Sequence, residues 1–140
     1  MSQRETTQGG ELILRLLDEM GTAVKGRTMM QKIVFILRSK FGKFHDYLYT
    51  IHYYGPFSRD LADALDRLRL QGLIEETPVL TGDTVRYDIT ITDEGRTVAR
   101  TGASSKVPLR DMVRVAHELN AAKLNDVIDE AYAIAAKGLD

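Results

Sequence analysis

The chain has 140 residues, 44% hydrophobic and 28% charged, enough apolar material for a packed core, which excludes a disordered tail or a disulfide-stapled miniature fold. It has no cysteine, so disulfides, thiolate nucleophiles and the common structural zinc sites are excluded too. Nineteen basic and twenty acidic residues leave a net charge of -1, so the chain as a whole sets up no field that attracts nucleic acid or an anionic membrane.

Residues 1–10 read as a polar, flexible arm without the apolar segment of a signal peptide, and no run of about 18 apolar residues occurs, so a cytoplasmic protein is expected. Leu12, Leu14, Leu16, Leu17 and Met20 fall near helical spacing, and Gly21 suits a left-handed cap. Thr28 with Gln31 reads as a capping box that starts a second helix at Met29. Met30, Ile33, Val34, Leu37 and Phe41 form its apolar stripe, and Gly42 ends it. Phe35 points off that stripe and is expected to pack on the next strand or on the C-terminal helices.

Over residues 44–57 the period changes to two, with Tyr47, Tyr49, Ile51 and Tyr53 on one face of an expected strand that Gly55-Pro56 closes. Ser58 is a good N-cap for a third helix, with Asp60 in its first turn and Leu61, Leu65 and Leu68 as its buried stripe up to Gly72. Residues 73–80 and 84–92 read as strands of a hairpin turning at Thr81-Gly82-Asp83, and Thr92 caps a helix over 93–100. Two more helices follow. Leu109, Met112, Val113, Ala116 and Leu119 mark the first, which starts after Ser104-Ser105 and Pro108. Leu124, Val127, Ile128, Ala131 and Ile134 or Ala135 mark the second, beyond a break at Asn120.

This order is that of a winged helix-turn-helix, so the expected class is α+β, mostly helical, with two additional C-terminal helices. The expected division is a flexible arm over 1–10, a winged helix-turn-helix domain over 11–103 and a helical extension over 104–140. The quoted residues also carry a resemblance. Gln31-Lys32-Ile33-Val34-Phe35-Ile36-Leu37, then Tyr53-Tyr54-Gly55-Pro56-Phe57-Ser58 with Leu61 and Leu65, then Gly72-Leu73-Ile74, then Tyr87-Asp88-Ile89-Thr90 leading to Thr92-Asp93-Glu94-Gly95, together resemble the YwgA-like family of small prokaryotic winged-helix proteins. More distantly they resemble the Panacea (SocA-like antitoxin) domain. The resemblance spans roughly residues 11 to 100. Its most specific element is Tyr-Gly-Pro-Phe-Ser; Gly-Leu-Ile and Thr-Asp-Glu-Gly recur in many winged helices, including the MarR and PadR types. It implies a winged-helix fold and says little about activity.

The charge is unevenly spread. Residues 21–45 hold Lys25, Arg27, Lys32, Arg38, Lys40 and Lys43 and no acid, whereas residues 58–140 carry a net charge of -4. The basic run is either a phosphate-contacting patch or the solvated ends and faces of one amphipathic helix. The third helix, in the place of a recognition helix, carries Arg59, Arg67 and Arg69 but also Asp60, Asp63 and Asp66. Pairing of Asp63 with Arg67, or of Asp66 with Arg69, would offset part of the repulsion from phosphate. The hairpin, in the place of the wing, sets Glu75, Glu76, Asp83 and Asp88 against Arg86 alone.

Seven of the ten aromatic residues lie between Phe41 and Phe57, either as a stacking or pocket wall or as sheet packing. His45, His52 and His117 are scattered, and no glycine-rich phosphate loop or nucleophile elbow occurs, so no enzyme, metal or cofactor is expected. The first reading is a DNA-binding transcriptional regulator. Ser58 and Arg59 start its recognition helix, Arg67 stands further along, Lys25, Arg27 and Lys32 bind phosphates of double-stranded DNA, and Arg86 is the wing contact. A homodimer through the C-terminal helices is expected. The alternative is a protein-interaction module, antitoxin-like or an adaptor subunit, whose contact surface is the mixed-charge third helix and the acidic wing.

Overall fold

The computed structural model describes residues 7–52 and 55–138. Its elements are α1 (Gln8–Met20), α2 (Arg27–Phe41), β1 (Thr50–His52), β2 (Gly55–Phe57), α3 (Arg59–Leu70), β3 (Ile74–Thr81), β4 (Thr84–Ile91), α4 (Asp93–Thr101), α5 (Arg110–Ala121) and α6 (Leu124–Ala135). The chain is thus α+β and mostly helical, with two small antiparallel sheets among the described residues. None of the described helices is long and apolar enough to cross a membrane.

α2 is the centre. Every residue from Met29 to Leu37 is buried, because α5 and α6 pack against this helix and β2 and β4 close on it. That explains Phe35, which is off the main stripe yet buried, its ring edge-on to Tyr49 at 5.0 Å between centroids. The Thr28–Gln31 capping box does not form. Gly26 is the N-cap, with φ of 97°, and it makes no side-chain cap bond. The Gln31 amide points across the core instead.

There it grips the start of α3. Gln31 Nε2 donates to the Ser58 carbonyl at 2.9 Å, and the Ser58 N–H donates to Gln31 Oε1 at 2.8 Å. The Ser58 hydroxyl meanwhile accepts the Leu61 N–H at 3.1 Å, the N-cap that the sequence predicts. One residue further along α2, Lys32 Nζ donates to the Pro56 carbonyl at 2.9 Å. Gly55 bends over the lysine stem with φ of 97°, and a Cβ there would lie 3.4 Å from Lys32 Cε and 3.8 Å from the Tyr132 ring. Those contacts would be ordinary ones; it is the positive φ that favours glycine.

The single strand expected over residues 44–57 is instead a small hairpin. Phe44 takes a left-handed φ of 61°, and β1 pairs antiparallel with β2 in the register Thr50↔Phe57 and His52↔Gly55. Tyr53 and Tyr54 lie outside the described residues. The other hairpin forms as expected, β3 pairing with β4 from Ile74↔Ile91 to Thr81↔Thr84. Gly82, with φ of 63°, leads its two-residue turn, a position that favours glycine. Val24 adds a single rung on the far side of β4 through paired backbone bonds with Ile89 of 3.0 and 2.9 Å.

α1 starts earlier than its apolar pattern indicates. Thr7 caps it by accepting the Gly10 N–H at 3.0 Å, so residues 8–10, expected in the arm, are helical. Gly9 lets the Tyr47 ring approach the helix where a Cβ would collide with it. At the other end of the chain, most of the apolar stripes of α5 and α6 is covered from within, Leu124 staying half-exposed. Met112, Ala116, Leu119, Val127 and Ala131 join the same core cluster as α1 and α2. α5 and α6 complete that core. Asn120 closes the seam, its side chain accepting the Lys25 N–H at 3.0 Å and donating to the Ala23 carbonyl at 2.8 Å.

Replacing Gln31 by Leu would leave the buried Ser58 N–H without its acceptor, and should lower stability by about 1–3 kcal/mol in denaturant unfolding. Lys32 yields a pH signature. Only 2% exposed, its ammonium is brought by burial from 10.5 down to about 8. Between those two values the unfolded chain binds more protons than the folded one, so stability rises with pH. The gain from pH 8 to pH 10 should be about 2 kcal/mol, and it should vanish in Lys32→Met. Tyr47 and Tyr49, whose hydroxyl pKa values burial raises, act in the opposite sense and only above about pH 10.

Candidate functional site

Two surfaces stand out once the core is assigned: the solvent face of α3 and the hairpin β3–β4. α3 buries Leu61, Ala64, Leu65 and Leu68, and so turns Arg59, Asp63, Arg67 and Leu70 outward at helical spacing. Its other carboxylates are engaged. Asp60 accepts the Leu48 N–H at 3.0 Å, and Asp66 accepts from Arg27 at 2.8 Å. The intrahelical pairs that the spacing suggests, Asp63 with Arg67 and Asp66 with Arg69, do not form among the described residues. Arg69 lies 3.8 Å from Glu76 on β3 instead.

Of the seven residues expected on DNA, three are exposed: Lys25 before α2, Arg59 at the start of α3, and Arg67. Lys32 and Ser58 are buried in the tie between α2 and the β2–α3 junction, where neither reaches a phosphate. Arg27 bridges three elements by donating to Glu76 on β3 and Asp66 on α3. Burial alone would lower its pKa, but hydrogen bonds and charge from Glu76 and Asp66 hold it above the ordinary arginine value. Arg86 lies flat across Gly26 and grips Asp88 with two bonds of 2.6 and 3.0 Å, which raise its pKa as well. It does not stand at the hairpin tip.

The basic run from Lys25 to Lys43 is also divided in space. Lys25 and Arg27 stand at the start of α2, whereas Arg38, Lys40 and Lys43 lie at or just beyond its end, roughly 20 Å away along the axis. There Arg38 and Lys40 complement the helix dipole. Beside the base of the hairpin the charge is negative. Glu75, Glu76, Asp93 and Glu94 line a cleft of about 790 Å³ with Arg69. The histidines have separate surroundings: His117 Nε2 bonds the Met20 carbonyl at 2.8 Å, and the His52 ring stacks on Phe57 at 4.8 Å.

The hairpin has the feature that charge counting overlooks. Residues opposite one another in the β3–β4 register share a face, and so do residues two apart. Ile74, Glu76, Ile89 and Ile91 therefore lie on the same face as Pro78, Leu80, Val85 and Tyr87. At the base this face enters the core through Ile74 and Ile89. Toward the tip it leaves the body of the protein, and Leu80 is 79% exposed, Tyr87 52% and Val85 48%. Period-two alternation from Ile74 to Leu80 and from Val85 to Ile91 was the signal available for this patch.

Val85 and Tyr87 also line a groove of about 520 Å³ with Gly26, Thr28, Thr84 and the half-exposed Leu124. Lys25 stands in its wall beside Arg27 and Arg86. The surface thus offers an apolar platform, an open groove and a lysine that forms no ion pair among the described residues, features suited to gripping another molecule. No family model, curated protein or solved structure matches this chain.

Proposed function

We propose that this chain is a winged helix-turn-helix module that binds another protein. The helix order supports the winged arrangement, with α3 in the recognition position, β3–β4 as the wing and the Val24 rung as the short strand between the first two helices. The observation that carries the protein-binding reading is the apolar wing face, Pro78, Leu80, Val85 and Tyr87, exposed where a DNA-reading wing presents cations. Apolar side chains clustered on a projecting element mark an interaction surface, and the carboxylates at the wing base oppose a phosphate backbone. The YwgA-like and Panacea resemblance is compatible with such a module and adds no activity to it.

One observation favours a second reading, DNA binding with a reduced contact set. Lys25, Arg59 and Arg67 remain exposed, and Asp60 and Asp66 are occupied within the fold. Fluorescence anisotropy of a labelled random duplex, measured at low and at moderate salt, separates the two readings. The protein-binding reading expects no salt-sensitive binding. Tight binding at low salt that falls steeply with added salt, and disappears in the combined Lys25→Glu, Arg59→Glu, Arg67→Glu variant, would establish the DNA reading in its place.

A further inference from the structure

The backbone of the wing allows the protein-binding reading to be taken one step further, to a mode of binding and a class of partner. Ile89 directs both its N–H and its carbonyl away from β3, toward Val24. In an antiparallel ladder these directions alternate, so Tyr87 and Val85, two and four residues nearer the tip, direct their backbone groups to the same outer edge. Val24 occupies only the rung at Ile89, because the chain turns away at Gly26 into α2. Among the described residues no backbone group pairs with Val85 or Tyr87 on that side. Both residues line the 520 Å³ groove.

We propose that this groove is a strand-addition site, in which an extended segment of a partner protein continues the Val24 rung along the outer edge of β4 at Tyr87 and Val85. The proposal rests on the protein-binding reading and names its chemistry. The other edge of the hairpin is unsuited to the same role. By the same alternation Glu76, Pro78 and Leu80 face outward on β3, and Pro78 has no N–H to offer. On β4 both outward positions keep their donors and acceptors.

Side chains and charge define the occupant. An added strand sets alternate residues over Val85, Tyr87 and Leu124, so its apolar residues lie two apart. Of the three cations in the groove wall, Arg27 is matched by Glu76 and Asp66 and Arg86 by Asp88, which leaves the charge of Lys25 to be met from outside. The segment therefore carries alternating apolar side chains and an acidic residue.

The test selects short random peptides, displayed as a library, on the full chain, and measures the selected peptides on variants. The winners are expected to alternate apolar residues with an acid. Their affinity should fall roughly ten-fold or more on Val85→Pro, which removes an outward donor without breaking a β3–β4 bond. It should persist on Val85→Ala and weaken on Lys25→Glu, and amide exchange at Val85 and Tyr87 should slow in the complex. If Val85→Pro fails to fold by circular dichroism, N-methylation of alternate peptide amides makes the same cut from the ligand side. Winners that bind Val85→Pro or N-methylated backbones undiminished overturn strand addition and leave the protein-binding reading standing. A selection without winners also overturns strand addition, and joined to salt-dependent duplex binding it overturns both. A dimer by sedimentation that Val85→Pro dissociates would replace the partner with a second copy of this chain.

Discussion

The structure depends on two adjacent polar side chains in the middle of a buried helix. Gln31 and Lys32 lie within nine consecutive buried residues, where an unsatisfied amide or ammonium would be strongly destabilising. Both find partners in one place, the backbone from Pro56 to Ser58. The constraint works in both directions. α2 needs that junction to satisfy its polar atoms, and the junction needs α2 to fix where α3 begins. Gly55 follows from it in that the chain passes the lysine stem at a positive φ that favours glycine, and the Pro56 carbonyl beside it takes the ammonium. α6 closes the arrangement from outside, with the Tyr132 hydroxyl donating to the His52 carbonyl at 2.6 Å.

The same tie shows what the sequence disclosed. Helices that bury one face were legible from periodicity, and Ser58 and Thr92 were legible as caps because a short hydroxyl at the first turn serves the same local purpose in any fold. Gln31 was misread by that very logic. Three residues after a threonine it fits a capping box, but the box competes with a longer-range pair of bonds that becomes visible only when residues 27 positions apart meet. The start of α1 was missed for a related reason: Gly9 and Gly10 lower helix propensity, and the helix keeps them because Tyr47 packs against Gly9. The strand expected over residues 44–57 is reduced to two paired three-residue strands, and the glycine that the sequence marked as its end begins the second of them.

Charge was the least legible property, because several ion pairs here join elements distant in sequence. Arg27 finds its carboxylates 39 and 49 residues away, and Arg100 binds Asp18 across 82. Arg15 is buried against the Ser104 and Val107 carbonyls, with Glu11 holding the Ser104 N–H at 3.1 Å, so that a basic and an acidic residue of α1 anchor the connection from α4 to α5. A segment count cannot foresee such pairings. It treats a run of cations as one patch, whereas α2 carries some to its far end and directs another into the core.

What remains at the surface follows from the core more directly than from charge. The face of the hairpin that buries Ile74 and Ile89 continues, by parity alone, through Pro78, Leu80, Val85 and Tyr87, because strand alternation does not stop where the protein body does. A hairpin whose only task was to cover the core could end near Glu76↔Ile89; this one runs five further rungs, to Thr81↔Thr84, and keeps apolar residues on its inward face. An exposed strand edge and an exposed apolar face are each liabilities for an isolated chain. On β3 the edge is blunted by Pro78, and on β4 it is covered only as far as Val24 reaches. The two liabilities coincide at Val85 and Tyr87, where the groove is open, so partner binding at that point would satisfy both at once.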